Sequence, residues 1–340
     1  MNDMGKEILG QYDLEIYKVK KGRGAFICET NQGIKLLKEY EGTMKHLELE
    51  NEIVTYLKNS WDVKVDSYVR NKEGSLYTTG YINSGGYKYY KEPSNYVLKD
   101  WFIGRECNLE SENDVLLAVR VLGMMHKKLR FKGGLEGKIK VLDKEILLLE
   151  EFEKHNRELR RTRNFIRDKK KKNEFELCII NTYSNMYEQA MKATNILENS
   201  NYQKLYFDAV SQGHLCHGSY NQHNILMLET EIAITNFHKF TVQIQIYDLY
   251  QFMRKVLEKN NWNEKLGAHL IEEYNKQLPI SNEEMKVLYA MFCYPEKYWK
   301  QINYYYNNNK CWIPQRNMEK LLKAANQYEQ KNKFLEICFS

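Results

Sequence analysis

The sequence predicts an α+β chain of two lobes: a small N-terminal lobe rich in strands, then a larger helical lobe. Three observations predict this. The first forty residues hold three short strand-like runs, Leu14 to Lys20, which alternates apolar and polar side chains, then Ala25 to Thr30 and Ile34 to Glu39, divided by glycine-containing turns. From Glu112 onward apolar residues recur at helical spacing, and the whole chain has only 4 prolines to interrupt them. The length of 340 residues exceeds one small core and favours two lobes, with a boundary near residue 101 that gives segments 1–101 and 102–340.

Composition narrows the function classes. With 43% hydrophobic and 28% charged residues, the chain reads as an ordinary globular protein. No apolar run is long enough to span a membrane, and Met1 to Glu7 lacks the charged-then-apolar order of an export signal. Seven cysteines stand singly, with no Cys-x-x-Cys pair. That argues against a zinc site, and the odd count fits a reducing compartment better than a disulfide framework.

A short helix over residues 1–10 is ended by Gly10. The three strands follow, turning at Lys21-Gly22-Arg23-Gly24 and Asn31-Gln32-Gly33. On the third strand Ile34, Leu36 and Lys38 share one face, and Lys35 and Leu37 the other. Residues 43–58 read as a helix with Leu47, Ile53, Val54 and Leu57 at its apolar positions. Val63 to Val69 and Ser75 to Thr79 read as strands around Asn71-Lys72-Glu73-Gly74, and Tyr96 to Gly104 as a strand leading into the second lobe. Helices are then expected over 112–128, 141–166 (with Ile146 on its apolar face), 176–197, 203–212, 243–260, 262–277, 281–292, 295–308 and 315–334. Pro295 suits a helix start, and Ser281 with Glu284 suits a capping box.

One charged run stands out: Arg157, Arg160, Arg161, Arg163 and Arg167, then Lys169 to Lys172. It reads either as a surface for an acidic partner or nucleic acid, or as a solvated helix end with lysines where the helix dipole favours cations. Phe165 is the only aromatic residue among these charges, so no stacking platform is expected. Tyr304-Tyr305-Tyr306-Asn307-Asn308-Asn309 reads either as a crosslinkable surface or as a helix end packed on its lobe.

The chemistry concentrates in Cys216-His217-Gly218-Ser219-Tyr220-Asn221-Gln222-His223-Asn224-Ile225-Leu226 and in Ile234-Thr235-Asn236-Phe237-His238. Together these resemble the phosphate-transfer core of the kinase-like aminoglycoside and choline phosphotransferases. In that family the first segment reads His-Gly-Asp, four residues, Asn, and the second reads Ile-Asp-Phe. The first Asp accepts the proton of the substrate hydroxyl; the Asn and the second Asp hold Mg²⁺ on the nucleotide phosphates. Here the spacing is kept, but Ser219 stands at the base position and Asn236 at the metal-binding Asp, while Asn224 is retained. A serine hydroxyl has no accessible pKa with which to act as base, and a positioned base is worth ~10²–10⁴ in rate. Mg²⁺ favours charged oxygens, and Asn236 offers an uncharged carbonyl. The residues therefore point to a degraded kinase core, a pseudokinase.

The same resemblance implies further roles. The first hairpin, with Gly22 and Gly24, would cover nucleotide phosphates, although two glycines suit an ordinary turn equally. Lys38 would be the phosphate-contacting lysine. Glu48, Glu50 and Glu52 are candidates for its acidic partner, and matching Tyr56-Leu57 to the family's aromatic-Leu selects Glu50. Asp248 would hold the catalytic loop through its backbone, with His217 a structural member of that loop and His126 a packed histidine.

At closer range Lys21 to Thr30, Leu36 to Tyr40, Cys216 to Leu226 and Tyr294-Pro295-Glu296-Lys297-Tyr298-Trp299-Lys300 resemble the CotS-type spore coat proteins of endospore formers over nearly the whole chain. That resemblance implies a place in the spore coat after synthesis in the mother-cell cytoplasm, with other coat proteins as partners and neither nucleic acid nor membrane. ATP and Mg²⁺ would bind weakly or not at all. Two function classes follow: a structural or assembly protein on a pseudokinase scaffold, or a residual phosphotransferase in which Asp248 or a rearranged acid replaces the base.

Overall fold

Strands over residues 25–30 and 33–39 present side chains on two faces, and each face needs its own cover. A computed structural model describes residues 5–22, 24–81, 92–130, 147–306 and 314–339. Arg23, Ile146 with the rest of 141–146, and Asn307 to Asn309 lie outside the described residues. The chain begins with α1 (Lys6–Leu9), β1 (Ile16–Lys21), β2 (Ala25–Thr30), β3 (Gly33–Glu39), α2 (Met44–Ser60), β4 (Lys64–Val65), β5 (Tyr68–Val69), β6 (Thr78–Gly80), β7 (Ser94–Asp100) and β8 (Arg105–Glu106). It continues with α3 (Glu112–Arg130), α4 (Leu148–Asp168), α5 (Glu174–Glu198), α6 (Tyr202–Gln212), β9 (Leu215–Cys216), β10 (Ile225–Met227), β11 (Ile232–Ile234) and β12 (Thr241–Val242). The helices α7 (Ile246–Lys259), α8 (Glu264–Gln277), α9 (Asn282–Cys293), α10 (Glu296–Tyr306), α11 (Gln315–Asn326) and α12 (Tyr328–Phe339) complete it.

These elements form two compact units. The first comprises the described residues of 5–108 with 127–130 and 217–241. The segment from His217 to Thr241 thus groups with the N-terminal strands rather than with the helices that flank it in sequence. An antiparallel sheet in the order β1-β2-β3-β7-β5, with β6 also on β7, forms the frame of this unit. One face, carrying Cys28, Leu37, Tyr96 and Leu98, is covered by Ile8 and Leu9 of α1 and by Tyr12. On the other, Val97 packs with Leu47 of α2 and with Leu76. A second sheet, β4-β11-β10-β8, carries the motif segment.

The strand expected over 63–69 divides into two pieces because the chain changes sheets there. β4 pairs parallel to β11 of the second sheet, and β5 pairs antiparallel to β7 of the first. Asp66 and Ser67 occupy the crossing, which places a buried carboxylate between the two sheets.

The second compact unit holds the described residues of 109–126, 147–216 and 242–339. Trp262, Phe292 and Phe334 pack on one another at its centre. The Tyr294 to Trp299 segment fastens α10 to its neighbours: Tyr294 stacks on Phe152 at 3.9 Å, the Tyr298 hydroxyl donates to Ile179 O, and Trp299 Nε1 donates to Glu158. The single helix expected over 315–334 is two. It breaks at Gln327, whose side chain donates to the Glu258 carbonyl at 3.1 Å, so a tertiary contact overrides local helix propensity. The six described cysteines are free thiols. Among the described residues, no helix is long and apolar enough to cross a membrane.

Candidate functional site

The tightness of the loop requires Gly218. Its φ is +71°, and a Cβ there would lie 1.7 Å from the Lys239 carbonyl oxygen. Only glycine accepts both the conformation and the approach. His217, fully buried, fixes the loop on either side. Its Nδ1 accepts the Ser219 N–H at 3.1 Å, and its Nε2 donates to Thr235 O at 3.0 Å. These two bonds select one neutral tautomer.

Ser219 therefore faces Asn221 and Asn224. The Asn221 and Asn224 side-chain amides donate to Ser219 O at 2.7 and 2.8 Å, and both approach Ser219 Oγ at 3.3 Å. Asn236 adopts a left-handed backbone with φ +71°, a conformation asparagine tolerates. Its Nδ2 donates to Asn224 Oδ1 at 3.2 Å, and its Oδ1 accepts from His238 Nδ1 at 2.9 Å. Ser219, Asn224 and Asn236, singled out from sequence, thus stand together. Each of the two carbonyl oxygens that a cation would need already accepts a hydrogen bond within the site.

Below Asn236 lies a charged cluster that the sequence reading missed. Lys99 Nζ lies 2.9 Å from Glu50 Oε1 and 3.0 Å from Asp66 Oδ2, and all three residues are buried. Asp66 Oδ2 also accepts the Asn236 N–H at 3.0 Å. Burial would lower the Lys99 pKa; the Asp66 and Glu50 carboxylates outweigh that and hold it above its ordinary value. Glu50 is thus engaged by Lys99, not by Lys38 as expected. Strand register explains how this happens. Lys38 opposes Val97 and Leu36 opposes Lys99 across β3 and β7, so both lysines project from the same face, and Lys99 lies nearer α2 and Asp66. The available signal was a lysine directly after the apolar run Tyr96-Val97-Leu98 in the same strand, where burial demands an acid.

Lys38 is half-buried, and among the described residues no carboxylate lies within ion-pairing reach of it. It is near enough to His238 that, after burial, its charge is the next cause holding the His238 pKa below the ordinary value. Gly22 and Gly24 form the β1–β2 turn: Gly22 N–H donates to Ala25 O at 2.8 Å, and Gly24 takes φ +68° with open space where a Cβ would be. His46 of α2 donates through Nε2 to His238 O at 2.7 Å and stacks on Phe240, tying α2 to the segment after Asn236.

Asp248 belongs to the helical unit. It is buried, and its Oδ2 accepts from His126 Nε2 at 3.2 Å, while His126 Nδ1 meets the Tyr274 hydroxyl at 2.8 Å. Cys216, which opens the motif, brings its thiol within 4.8 Å of both. Both ring nitrogens of His126 are engaged, so this cluster is a packing network rather than an open metal site.

The donor set near Asn236 does not fit Mg²⁺. Among the described residues the carboxylate bonded to Asn236 is that of Asp66, which is paired with Lys99 and accepts the Asn236 N–H through Oδ2, and the two amide oxygens already accept hydrogen bonds.

The fold is the two-lobed, kinase-like one of the aminoglycoside phosphotransferases. An aminoglycoside phosphotransferase from Alicyclobacillus acidocaldarius is 16% identical, covering 96% of this chain and 93% of that one at a TM-score of 0.83. An AMP-bound spectinomycin phosphotransferase is 14% identical over 96% of each chain at 0.64. A choline kinase from Cryptosporidium parvum is 13% identical over 94% and 89% at 0.50. At such identities the likeness is one of fold. The family profile described as "Spore coat putative kinase YutH" matches residues 150–338, more than half of the chain, and the protein belongs to that family. No curated protein matches the sequence.

Proposed function

We propose that this protein is a spore coat assembly component built on a pseudokinase core, and that any nucleotide it holds is held without phosphoryl transfer. The observation that carries the reading is the mutual bonding of Ser219, Asn224 and Asn236. The base position offers a hydroxyl without a carboxylate, and the metal positions offer amides bonded to each other and to His238. Asp248 does not substitute as base, because it is buried and engaged by His126. Lys38, without a carboxylate partner among the described residues, and the open turn at Gly24 support retained contact with a nucleotide. Family membership supports the coat as location and other coat proteins as partners.

Thermal unfolding with ATP, with and without Mg²⁺, tests the core. A ligand at 100 times its Kd adds about 2.7 kcal/mol, so binding is readily visible. The expected result is a shift with ATP that Mg²⁺ leaves unchanged. Turnover at ordinary kinase rates of ~1–100 s⁻¹ would overturn the pseudokinase reading. A fluorescent fusion expressed during sporulation tests the location: diffuse mother-cell signal with none on the coat would sink the assembly role.

A further inference from the structure

We infer that the exposed face of α4 and α5 binds an acidic polypeptide segment. This names the chemistry of a partner for the assembly role, and rests on that role only in taking the partner to be another protein. Residues 157–172 carry nine basic and two acidic side chains, a net charge of +7. The whole chain carries +6, so everything else sums to −1 and the excess charge sits in this one stretch. Among the described residues, carboxylates pair here with Arg157 at 3.8 Å, Arg167 at 3.0 Å and Lys169 at 2.6 Å. Arg160, Arg161, Arg163, Lys170 and Lys171 have no such partner among the described residues.

The platform that the linear sequence lacks is supplied by the neighbouring helix. Tyr183 and Tyr187 of α5 stack on one another, with ring centroids 5.1 Å apart and planes 12° apart. The Arg163 guanidinium lies over Tyr183 at 5.5 Å and that of Arg160 over Tyr187 at 5.8 Å, where it also donates to the Tyr187 hydroxyl at 2.6 Å. The arginines are therefore ordered in advance, which lowers the entropy lost when they bind a carboxylate. A nucleic acid would use such rings to stack its bases. Here the rings are occupied by each other and by guanidinium groups, so the face offers forked donors rather than stacking surfaces. Phe165, 58% exposed beside Lys169, adds one apolar contact suited to a peptide side chain.

Fluorescence anisotropy with the full chain tests this, using a labelled peptide of about twenty glutamates and an oligothymidylate of equal charge, at low and at physiological salt. Replacing Arg160→Gln, Arg161→Gln and Arg163→Gln together should weaken peptide binding about tenfold or more. Neutralising the exposed Lys265, Lys276 and Lys286 to Gln removes the same charge elsewhere and should change it less than about twofold. Tyr183→Leu with Tyr187→Leu keeps every charge and should still cost about threefold, because the guanidinium groups lose their support. Equal losses in the two triple variants, no loss in the tyrosine variant, or tighter binding of the oligonucleotide than of the peptide would each overturn the proposal. None of these outcomes bears on the ATP or localisation tests, so the two readings fail separately.

Discussion

Lys99 carries its charge into the interior, where Glu50 and Asp66 balance it. Lys99→Met leaves two buried carboxylates facing each other, and breaking a buried pair in this way costs about 3–5 kcal/mol. Urea unfolding measures it, and the triple variant Glu50→Gln, Asp66→Asn, Lys99→Met should recover most of the loss. A loss below about 1 kcal/mol would mean that the cluster contributes little. On the proposed pseudokinase reading, Ser219→Asp with Asn236→Asp supplies two carboxylates to a loop whose shape is held by Gly218 and His217. The expected gain is a Mg²⁺-dependent thermal shift with ATP that the natural protein lacks. A folded double variant with no such shift would show that the scaffold, and not only its acids, has diverged.

At the scale of elements, two helix starts share a capping box, and one of them adds contacts from farther along the chain. Ser281 caps α9 in a closed box with Glu284, and Ser281→Ala should cost about 1 kcal/mol in denaturant unfolding. Asn173 and Glu176 form the same box at α5, but Glu176 also accepts from Lys169 at 2.6 Å and from the Tyr306 hydroxyl at 2.9 Å. Glu176→Gln should therefore destabilise more than Glu284→Gln, by roughly a further 1 kcal/mol, since it weakens a cap and two charge-assisted contacts together. Equal losses would mean that the added contacts contribute nothing.

At the scale of the whole molecule, Lys331 fastens the last helix. Its ammonium donates to the carbonyls of Cys293 at 2.9 Å and Tyr294 at 3.2 Å and to Gln189 at 3.1 Å. Burial lowers its pKa from 10.5 to about 8. Folded Lys331 therefore releases its proton near pH 8, whereas in the unfolded chain it keeps the proton to about 10.5. Between those values the unfolded state binds more protons, so this residue makes stability rise with pH, by about 1.4 kcal/mol per pH unit at most. Stability measured from pH 7 to 10 should rise more steeply in the natural protein than in Lys331→Met. Parallel pH profiles would rule the shift out.

The class of fold was legible in the sequence because three short strand-like runs in the first forty residues and helical spacing after Glu112 are local properties, as is the spacing from His217 to Asn224. The uncharged side chains of Ser219 and Asn236 were legible for the same reason: they are written in the chain. Three features were not. Glu50 pairs with Lys99 because pairing of β3 with β7 sets Lys99 two residue pairs along the same face from Lys38, beside Asp66, and that offset is a property of two strands. Asp66 reaches Asn236 because the chain changes sheets at that residue, which no periodicity records. Tyr183 and Tyr187 join the basic run from another helix, so the linear reading saw one aromatic residue where the folded face has three. The sequence by itself determined the class of fold and the residue types that stand at positions 219, 224 and 236. Tertiary structure alone decided which charges meet, because burial and pairing depend on residues far apart in the chain.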